Sequence, residues 1–164
     1  MPMEQTGHHK KMSELFAEEQ GIGHFVYLRY TRVVDTNESG DDINRAYALI
    51  SSSPVRNDMI LGDVRACVKE GRTPVILTKY KGQTKYLFEN LQEAAEHVFL
   101  LYGDNSDKEN AEMRRKMNGV PADQSLILVA TGQKIGEGFN FPRLDTLMLA
   151  APVSFEGRLE HRKG

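Results

Sequence analysis

A chain of 164 residues, of which 40% are hydrophobic and 27% charged, is long enough to bury the core of one domain, with or without a short arm. Its formal net charge of −2 at pH 7 argues against a strong autonomous nucleic-acid binder, so any such site must be a local basic patch. Its one cysteine cannot form an intrachain disulfide, and no apolar run approaches the ~20 residues that span a bilayer, so we expect a cytoplasmic protein without a membrane partner.

The first 23 residues are polar and are interpreted as an arm, and residues 24–164 as the body. A short helix around Lys11–Glu19 fits the pattern of the arm. His8 and His9 have neither a cysteine nor a third ligand at a suitable spacing, so a solvated tail is favoured over a metal site.

The body begins with His24–Val34, whose β-branched and aromatic residues predict a strand. A helix capped by Asp41 or Asp42 follows, and Ser51–Pro54 ends it. Its apolar face consists of Ile43, Ala46, Tyr47 and Ile50.

A second helix is predicted from about Arg56 to Glu70, with Gly71 where a helix-terminating glycine belongs. Its apolar positions recur at helical spacing and include Cys67. The cysteine is therefore interpreted as part of the core rather than as a nucleophile.

From Thr73 onward, strands and helices alternate. Short apolar runs predict strands at Pro74–Leu77, His97–Leu101, Leu126–Ala130 and Thr146–Ala150. Helices are predicted over Thr84–Ala95 and from the Ser106-x-x-Glu109 capping box to about Asn118. This alternation is typical of a doubly wound, mostly parallel sheet with right-handed crossovers.

Ligands bind such sheets at the loops that follow the carboxyl ends of the strands. Here those loops are Thr78–Gly82, Tyr102–Ser106, Thr131–Phe141 and Ala151–Ser154. They offer hydroxyls, lysines, glycine amides and a helix N-terminus, which hold a phosphate backbone without reading its sequence. Each loop alone is adequately explained as a structural turn, but four at one edge favour a phosphate or nucleic-acid site.

The third loop carries a specific pattern. Val129-Ala130-Thr131-Gly132 is followed by Gly136-Glu137-Gly138-Phe139-Asn140 and then by Pro142-x-Leu144-Asp145-Thr146-Leu147. This combination resembles motif V of superfamily 2 helicases, in the branch that includes restriction-type and DEAD/DEAH-like enzymes. Pro74–Lys79 is similar to motif IV, and Leu101–Asp104 is similar to the strand and glycine that precede a charged helix in that family. The resemblance covers about residues 50–164.

The resemblance implies a three-layer α/β/α RecA-like domain, of the P-loop NTPase type, with a central, mostly parallel sheet. It implies the C-terminal motor domain of an ATP-dependent helicase or translocase, inactive alone. The expected partners are DNA or RNA and the N-terminal RecA-like domain of the same parent protein. That second domain would hold most of the ATP and Mg²⁺.

Roles for particular residues follow from the same resemblance. The nucleic-acid strand would be bound by Thr78, Lys79, Gly103, Thr131 and Gly132. The nucleotide would be faced by Gly136, Glu137, Gly138 and Asn140. The family usually has aspartate at the position of Asn140, so the asparagine keeps an acceptor and loses the charge.

Two absences and one partial motif complete the comparison. Neither GxxxxGK[ST] nor a DExH or DEAD tetrapeptide occurs, so the lysine that cradles phosphate and the acidic pair would belong to another domain. Leu159–Gly164 is similar to the start of motif VI, with His161 in the glutamine place and Gly164 in the glycine place. The chain is therefore expected to stop within motif VI, before the arginines that would reach ATP.

Other basic and aromatic residues have more than one interpretation. The run Arg114–Lys116 is interpreted as a solvated helix face. A shallow phosphate track is possible at Lys79, Lys81 and Lys85, and motif VI favours Arg158, Arg162 and Lys163. Bases have candidate stacking partners in Tyr80, Tyr86 and Phe88, although Phe88 is expected in the core.

Two further functions remain open from the residues. A stand-alone α/β module would bind a nucleotide, flavin or phosphate in isolation. A helicase-shaped protein-interaction domain would keep its function without Thr131 and Glu137. Glu137 is not interpreted as a lone general base, because no partner acid or base lies at a useful spacing.

Overall fold

The structure, a computed structural model, describes residues 25–31, 33, 42–131 and 141–151, without the side chain of Ile43. The chain divides into two units, Met1–Thr31 and Arg32–Gly164, and every helix and strand given below lies in the second unit. The helix predicted at Lys11–Glu19 lies outside the described residues, and the domain boundary at residue 23 stays a prediction.

A four-stranded parallel sheet organises the second unit. Its strands are β1 (Pro74–Thr78), β2 (His97–Leu101), β3 (Leu126–Thr131) and β4 (Thr146–Leu149). They lie in the order β2-β3-β1-β4, and every pair is parallel. The predicted α/β fold with a parallel sheet is confirmed, and the carboxyl ends of all the strands lie at one edge.

The described residues contain four helices, and their capping follows the sequence closely. They are α1 (Ile43–Ser52), α2 (Pro54–Lys69), α3 (Lys81–Asn90) and α4 (Asp107–Asn118). Asp42 caps α1, because its carboxylate accepts from the amides of Asn44 and Arg45 at 2.9 and 3.4 Å. Ser53 ends α1 and also caps α2 through its hydroxyl, so the predicted break between these helices is a single residue.

The far ends of α2 and α4 also match the sequence pattern. Gly71 follows α2 with a φ of +77°, the left-handed conformation that favours glycine after a helix. α4 begins with the predicted capping box: Ser106 accepts from the Glu109 amide, and the Glu109 carboxylate accepts from the Ser106 amide.

The sheet is covered on both faces because alternate residues of β3 enter different cores. On one face, Ile127 and Val129 pack with residues of α2 and α3, including Val64 and Leu87. On the other face, Leu126, Leu128 and Ala130 pack with Met117 of α4, and Phe141 and Leu144 lie against this cluster. Two cores on opposite faces of one sheet make the three-layer α/β/α arrangement that the resemblance implies.

Two helix boundaries differ from the sequence-based expectation. α2 begins at Pro54 rather than Arg56, because proline fits the first helical position, where no amide hydrogen is required. α3 spans Lys81–Asn90 rather than Thr84–Ala95. The carbonyl of Tyr80 accepts from the Thr84 amide at 3.0 Å, which starts the helix early and places Lys81 and Gly82 in its first turn instead of a loop.

The strand predicted over His24–Val34 is wrong for its described residues. Residues 25–31 and 33 belong to no strand, and Phe25, Tyr27 and Tyr30 are 79–85% exposed. β-branched and aromatic residues favour strands because they fit a paired, half-buried surface. Their composition alone does not supply the neighbouring strand that this surface requires.

Cys67 lies half-buried on α2, near the carboxylate of Glu70. Partial burial raises the pKa of the Cys67 thiol above its usual value, and the charge of Glu70 raises it further. A raised pKa leaves little thiolate at neutral pH, which agrees with the prediction that Cys67 is not a nucleophile, although it belongs to neither of the two core clusters.

No helix among the described residues has both the length and the apolar character needed to cross a membrane.

A pair of valines on α2 tests the assignment of its buried face. Val64 is 0% exposed and Val55 is 73% exposed, so the same change to alanine removes methyl groups from the core at one site and from water at the other. We expect Val64→Ala to lower the free energy of unfolding by about 1.5–3 kcal/mol, and Val55→Ala to change it by less than about 0.5 kcal/mol. Urea unfolding measures both, and equal losses would contradict the packing of α2.

Alkylation tests the environment of Cys67. Because the pKa is raised, we expect iodoacetamide to react more slowly than with free cysteine at pH 7, and the rate to reach its half-maximum at a higher pH. Glu70→Gln removes a negative charge and should move that half-maximum down. A neutral-pH rate equal to that of free cysteine would contradict the assignment.

Candidate functional site

The carboxyl edge of the sheet brings together residues from three different strand ends. Thr78 of β1 and Thr131 of β3 are register partners in the parallel ladder. Leu101, the last residue of β2, pairs with Ala130, so Gly103 follows two residues beyond it. The structure therefore places Thr78, Lys79, Gly103 and Thr131 at one edge, as expected for parallel strands.

A hydrogen bond joins two of the predicted nucleic-acid contacts directly. The Gly103 amide donates to the Thr131 hydroxyl oxygen at 2.6 Å, and Thr131 is 8% exposed. This bond fixes the loop after β2 against the end of β3. Among the described residues no acceptor takes the hydroxyl proton of Thr131.

Thr78 has an internal role in this arrangement. Its hydroxyl lies 2.5 Å from the hydroxyl oxygen of the fully buried Thr84 and 3.2 Å from the carbonyl oxygen of Ala130, and its single proton serves one of these two acceptors at a time. Thr84 in turn donates to the carbonyl of Tyr80 at 2.8 Å. The hydroxyl of Thr78 thus holds the start of α3 against the sheet, and its contact with a nucleic-acid strand stays a prediction.

The three lysines of the predicted phosphate track have different surroundings. Lys81 forms an ion pair with Asp104, and its Nζ lies 5.7 Å from the centre of the Tyr102 ring. Lys85 lies 3.8 Å from a carboxylate oxygen of Glu89, one helical turn away. The ammonium of Lys79 instead lies over aromatic rings, 4.3 Å from the centre of Tyr47 and 5.7 Å from that of Tyr80.

The N-terminus of α4 is a poorer anion site than the sequence suggested. Its first turn carries Asp107 and Glu109, and the Glu109 carboxylate already accepts from the Ser106 amide at 2.7 Å. A phosphate at this position would meet two negative charges. The capping box therefore stabilises the helix and disfavours a phosphate at its N-terminus.

The part of the motif V-like segment that precedes β4 is joined to the beginning of β1. The Thr73 amide donates to the Asp145 carboxylate at 2.9 Å, and the Asp145 amide donates back to the Thr73 carbonyl at 3.2 Å. This pair joins the beginnings of β4 and β1, at the edge opposite the candidate site. Asp145 is therefore a structural residue of the motif.

Arg56 contributes a second tie, at the end of β4. Its guanidinium donates to the carbonyl of Ala150, which joins α2 to the segment that follows the strand. Partial burial lowers the pKa of the Arg56 side chain from its usual value. The hydrogen bond to Ala150 offsets part of the cost of removing this cation from water.

Several predicted site residues lie outside the described residues and stay predictions. They are Gly132, Gly136, Glu137, Gly138, Asn140, Arg158, His161, Arg162, Lys163 and Gly164. Among the described residues, no group of three or more His, Cys, Asp or Glu side chains is arranged to hold a metal ion.

Two further expectations about surface residues can be compared with the structure. Arg114, Arg115 and Lys116 are exposed on α4, and Lys116 lies 3.3 Å from Glu112, so the run lies on an exposed helix face, and its interpretation as solvated rather than as a binding patch stays a prediction. Phe88 packs against the core, as expected.

The site also includes residues that the sequence did not indicate. The sequence pattern predicts only that Tyr47 lies on the apolar face of α1, yet its ring lies under the ammonium of Lys79. Asp104 had no assigned partner, yet it pairs with Lys81. Thr84 is a polar residue with 0% exposure that supports Thr78. None of these roles has a local sequence signal, because each depends on a contact between separate elements.

A four-stranded parallel sheet covered by helices on both faces defines an α/β fold of RecA-like type. A similar fold is found in the solved structure of T4 UvsW, a helicase, with a TM-score of 0.57 and 16% sequence identity. The similarity covers 71% of this chain and 23% of the UvsW chain. At this identity the comparison concerns the fold.

Sequence comparison gives a narrower result. No protein-family model matches the chain. A short segment is similar to uncharacterized protein 108L of Invertebrate iridescent virus 3, with 44% identity over 45 residues. That segment covers 24% of this chain and 43% of the viral protein.

The bond between Gly103 and Thr131 can be tested through stability. Thr131→Val keeps the shape of the side chain but removes the acceptor for the Gly103 amide, so we expect the free energy of unfolding to fall by about 1–2 kcal/mol. The matched change Thr146→Val removes a hydroxyl whose one bonding partner within the described ranges is the exposed Asp145, and its effect should stay within about 0.5 kcal/mol. Urea unfolding measures both variants, and an unchanged free energy of unfolding for Thr131→Val would contradict the bond between Gly103 and Thr131.

Proposed function

We propose that this chain is the C-terminal RecA-like motor domain of an ATP-dependent nucleic-acid helicase or translocase of superfamily 2. The observation that carries the proposal is the hydrogen bond between Gly103 and Thr131, at the carboxyl edge of a helicase-like fold. These residues belong to two separate segments that resemble helicase motifs. A nucleic-acid strand that both segments bind would explain why they meet at this edge.

The available donors at this edge suit the phosphates of a polymer. Thr131 has a hydroxyl proton to donate, and Lys79 has an exposed ammonium with no carboxylate partner among the described residues. Hydroxyl and ammonium contacts to phosphate hold a backbone without selecting a base sequence. With a net charge of −2, the chain should bind DNA or RNA weakly and with a shallow salt dependence.

The described edge does not fit Mg²⁺, which prefers carboxylate and carbonyl oxygens together with water. Its side chains are hydroxyls and ammonium groups, and the carboxylate of Asp104 is already paired with Lys81. We therefore propose that ATP and Mg²⁺ are held mainly by an N-terminal RecA-like domain. On this proposal the nucleotide is faced by Gly136, Glu137, Gly138 and Asn140, and motif VI begins at His161 and Gly164.

An ATPase measurement tests the proposal. Alone, the 164-residue chain is expected to show no ATP turnover above buffer. Joined to a RecA-like domain that carries a P-loop and an acidic box, it should show turnover that nucleic acid stimulates. Glu137→Gln in the joined protein should reduce that stimulated rate, whereas vigorous turnover by the chain alone would overturn the proposal.

Two further measurements separate the remaining functions. Calorimetric titration of the chain alone with ATP or a flavin should show no micromolar binding, and such binding would favour a stand-alone module. Changing Thr131 and Glu137 to alanine should abolish the function of the parent protein. An unchanged parent function would favour a protein-interaction domain.

A further inference from the structure

Tyr47, Lys79 and Tyr80 form an aromatic–lysine cluster beside the candidate site. The ammonium of Lys79 lies 4.3 Å from the centre of the Tyr47 ring and 5.7 Å from that of Tyr80. The hydroxyl of Tyr80 donates to the carbonyl of Asn44 at 3.3 Å, so its ring lies along the first turn of α1. One cation thus lies close to two rings, and both rings are half-buried.

Lys79 differs from the neighbouring lysines because its described partners are aromatic rings rather than a carboxylate. Lys81 and Lys85 each have a carboxylate partner, Asp104 and Glu89. The partners of Lys79 among the described residues are neutral rings, and a cation–π contact at an exposed site is weak. A phosphate can therefore take the ammonium without breaking an ion pair.

The position of the cluster connects it to the rest of the edge. Lys79 directly follows Thr78, and Thr78 is the register partner of Thr131. A strand whose phosphate contacts Thr131 would therefore pass close to Lys79. The cluster extends the candidate site towards α1, which lies before the segment that resembles a helicase.

We propose that this cluster is a base-stacking platform for single-stranded nucleic acid, with Tyr47 as the ring that receives a base. The inference rests on the proposed function, and it adds to that function a binding residue from α1. In the free protein, the ammonium of Lys79 covers the Tyr47 ring. When a phosphate draws the ammonium away, the face of the ring is open to a base of the same strand, because every base has a π face.

Buried hydrogen bonds hold α1, the helix that carries Tyr47, against α2 and α3. The side-chain amide of Asn57 donates to the carbonyl of Ser51 at 3.0 Å, and the Gln83 amide donates to Asn57 at 2.9 Å. Asn57 and Gln83 are both 5% exposed, so these bonds lie in the interior. They fix the end of α1 to α2 and α3, and thereby fix the helix that carries Tyr47.

The test compares a fluorescein-labelled dT20 strand with an abasic strand of equal length, using anisotropy and the whole 164-residue chain. The two strands carry the same phosphates and differ only in their bases. We expect dT20 to bind roughly ten-fold more tightly than the abasic strand. Tyr47→Leu, which keeps the apolar contacts, should bind both strands alike, and Tyr47→Phe should keep the preference.

Lys79→Gln should weaken binding of both strands and lower the salt slope by about one, since it removes one phosphate contact. Tyr30→Leu is the matched control, because Tyr30 is an exposed tyrosine outside the cluster and should leave the preference unchanged.

A direct readout uses Tyr47→Trp. The chain contains no tryptophan, so dT20 should quench this single reporter and the abasic strand should not.

The outcomes separate this inference from the proposed function. If the chain binds neither strand, both are overturned. If it binds both strands equally, if Tyr47→Leu keeps the preference, or if Tyr47→Trp is not quenched by bound dT20, only the stacking platform is overturned.

Discussion

The burial of β3 is the constraint on which the rest of the structure depends. All six of its residues are buried, and it is paired with β2 on one side and β1 on the other. Its alternate side chains supply both hydrophobic cores. A slip of one residue in its register would exchange the two faces. The fixed register also determines which residues meet at the carboxyl edge, so the positions of Thr78 and Gly103 relative to Thr131 follow from packing in the core.

The sequence predicts the scaffold well because the scaffold follows from local patterns. The four apolar runs, the capping box before α4 and the glycine after α2 act within a few residues, and each is present in the structure. The start of α3 was misplaced because Tyr80 provides no side-chain cap that a sequence pattern reveals. The strand predicted over residues 25–31 is not formed, because a β-strand requires a neighbouring strand to pair with and composition does not specify that partner.

The site was less predictable because it depends on which partner each polar group chooses. The sequence places a threonine at the end of β1 and another at the end of β3, and both were assigned to a ligand. In the structure, the Thr78 hydroxyl bonds within the protein, whereas the Thr131 hydroxyl accepts from the Gly103 amide and has no acceptor for its own proton among the described residues. Likewise, the sequence does not distinguish Lys79, Lys81 and Lys85. In the structure Lys81 and Lys85 each lie beside a carboxylate, whereas Lys79 lies over an aromatic ring. Such differences arise between elements that are distant in sequence.

The junction between α1 and α2 has a consequence for how this chain can vary in length. Ser53 terminates one helix and caps the next, so the two helix axes share a single hinge residue with no spare length. An inserted residue would give each helix its own end and would remove the constraint that the shared residue places on the angle between α1 and α2. Length changes among related chains should therefore be absent at this junction and concentrated in connections such as residues 119–125, which join α4 to β3 across the surface.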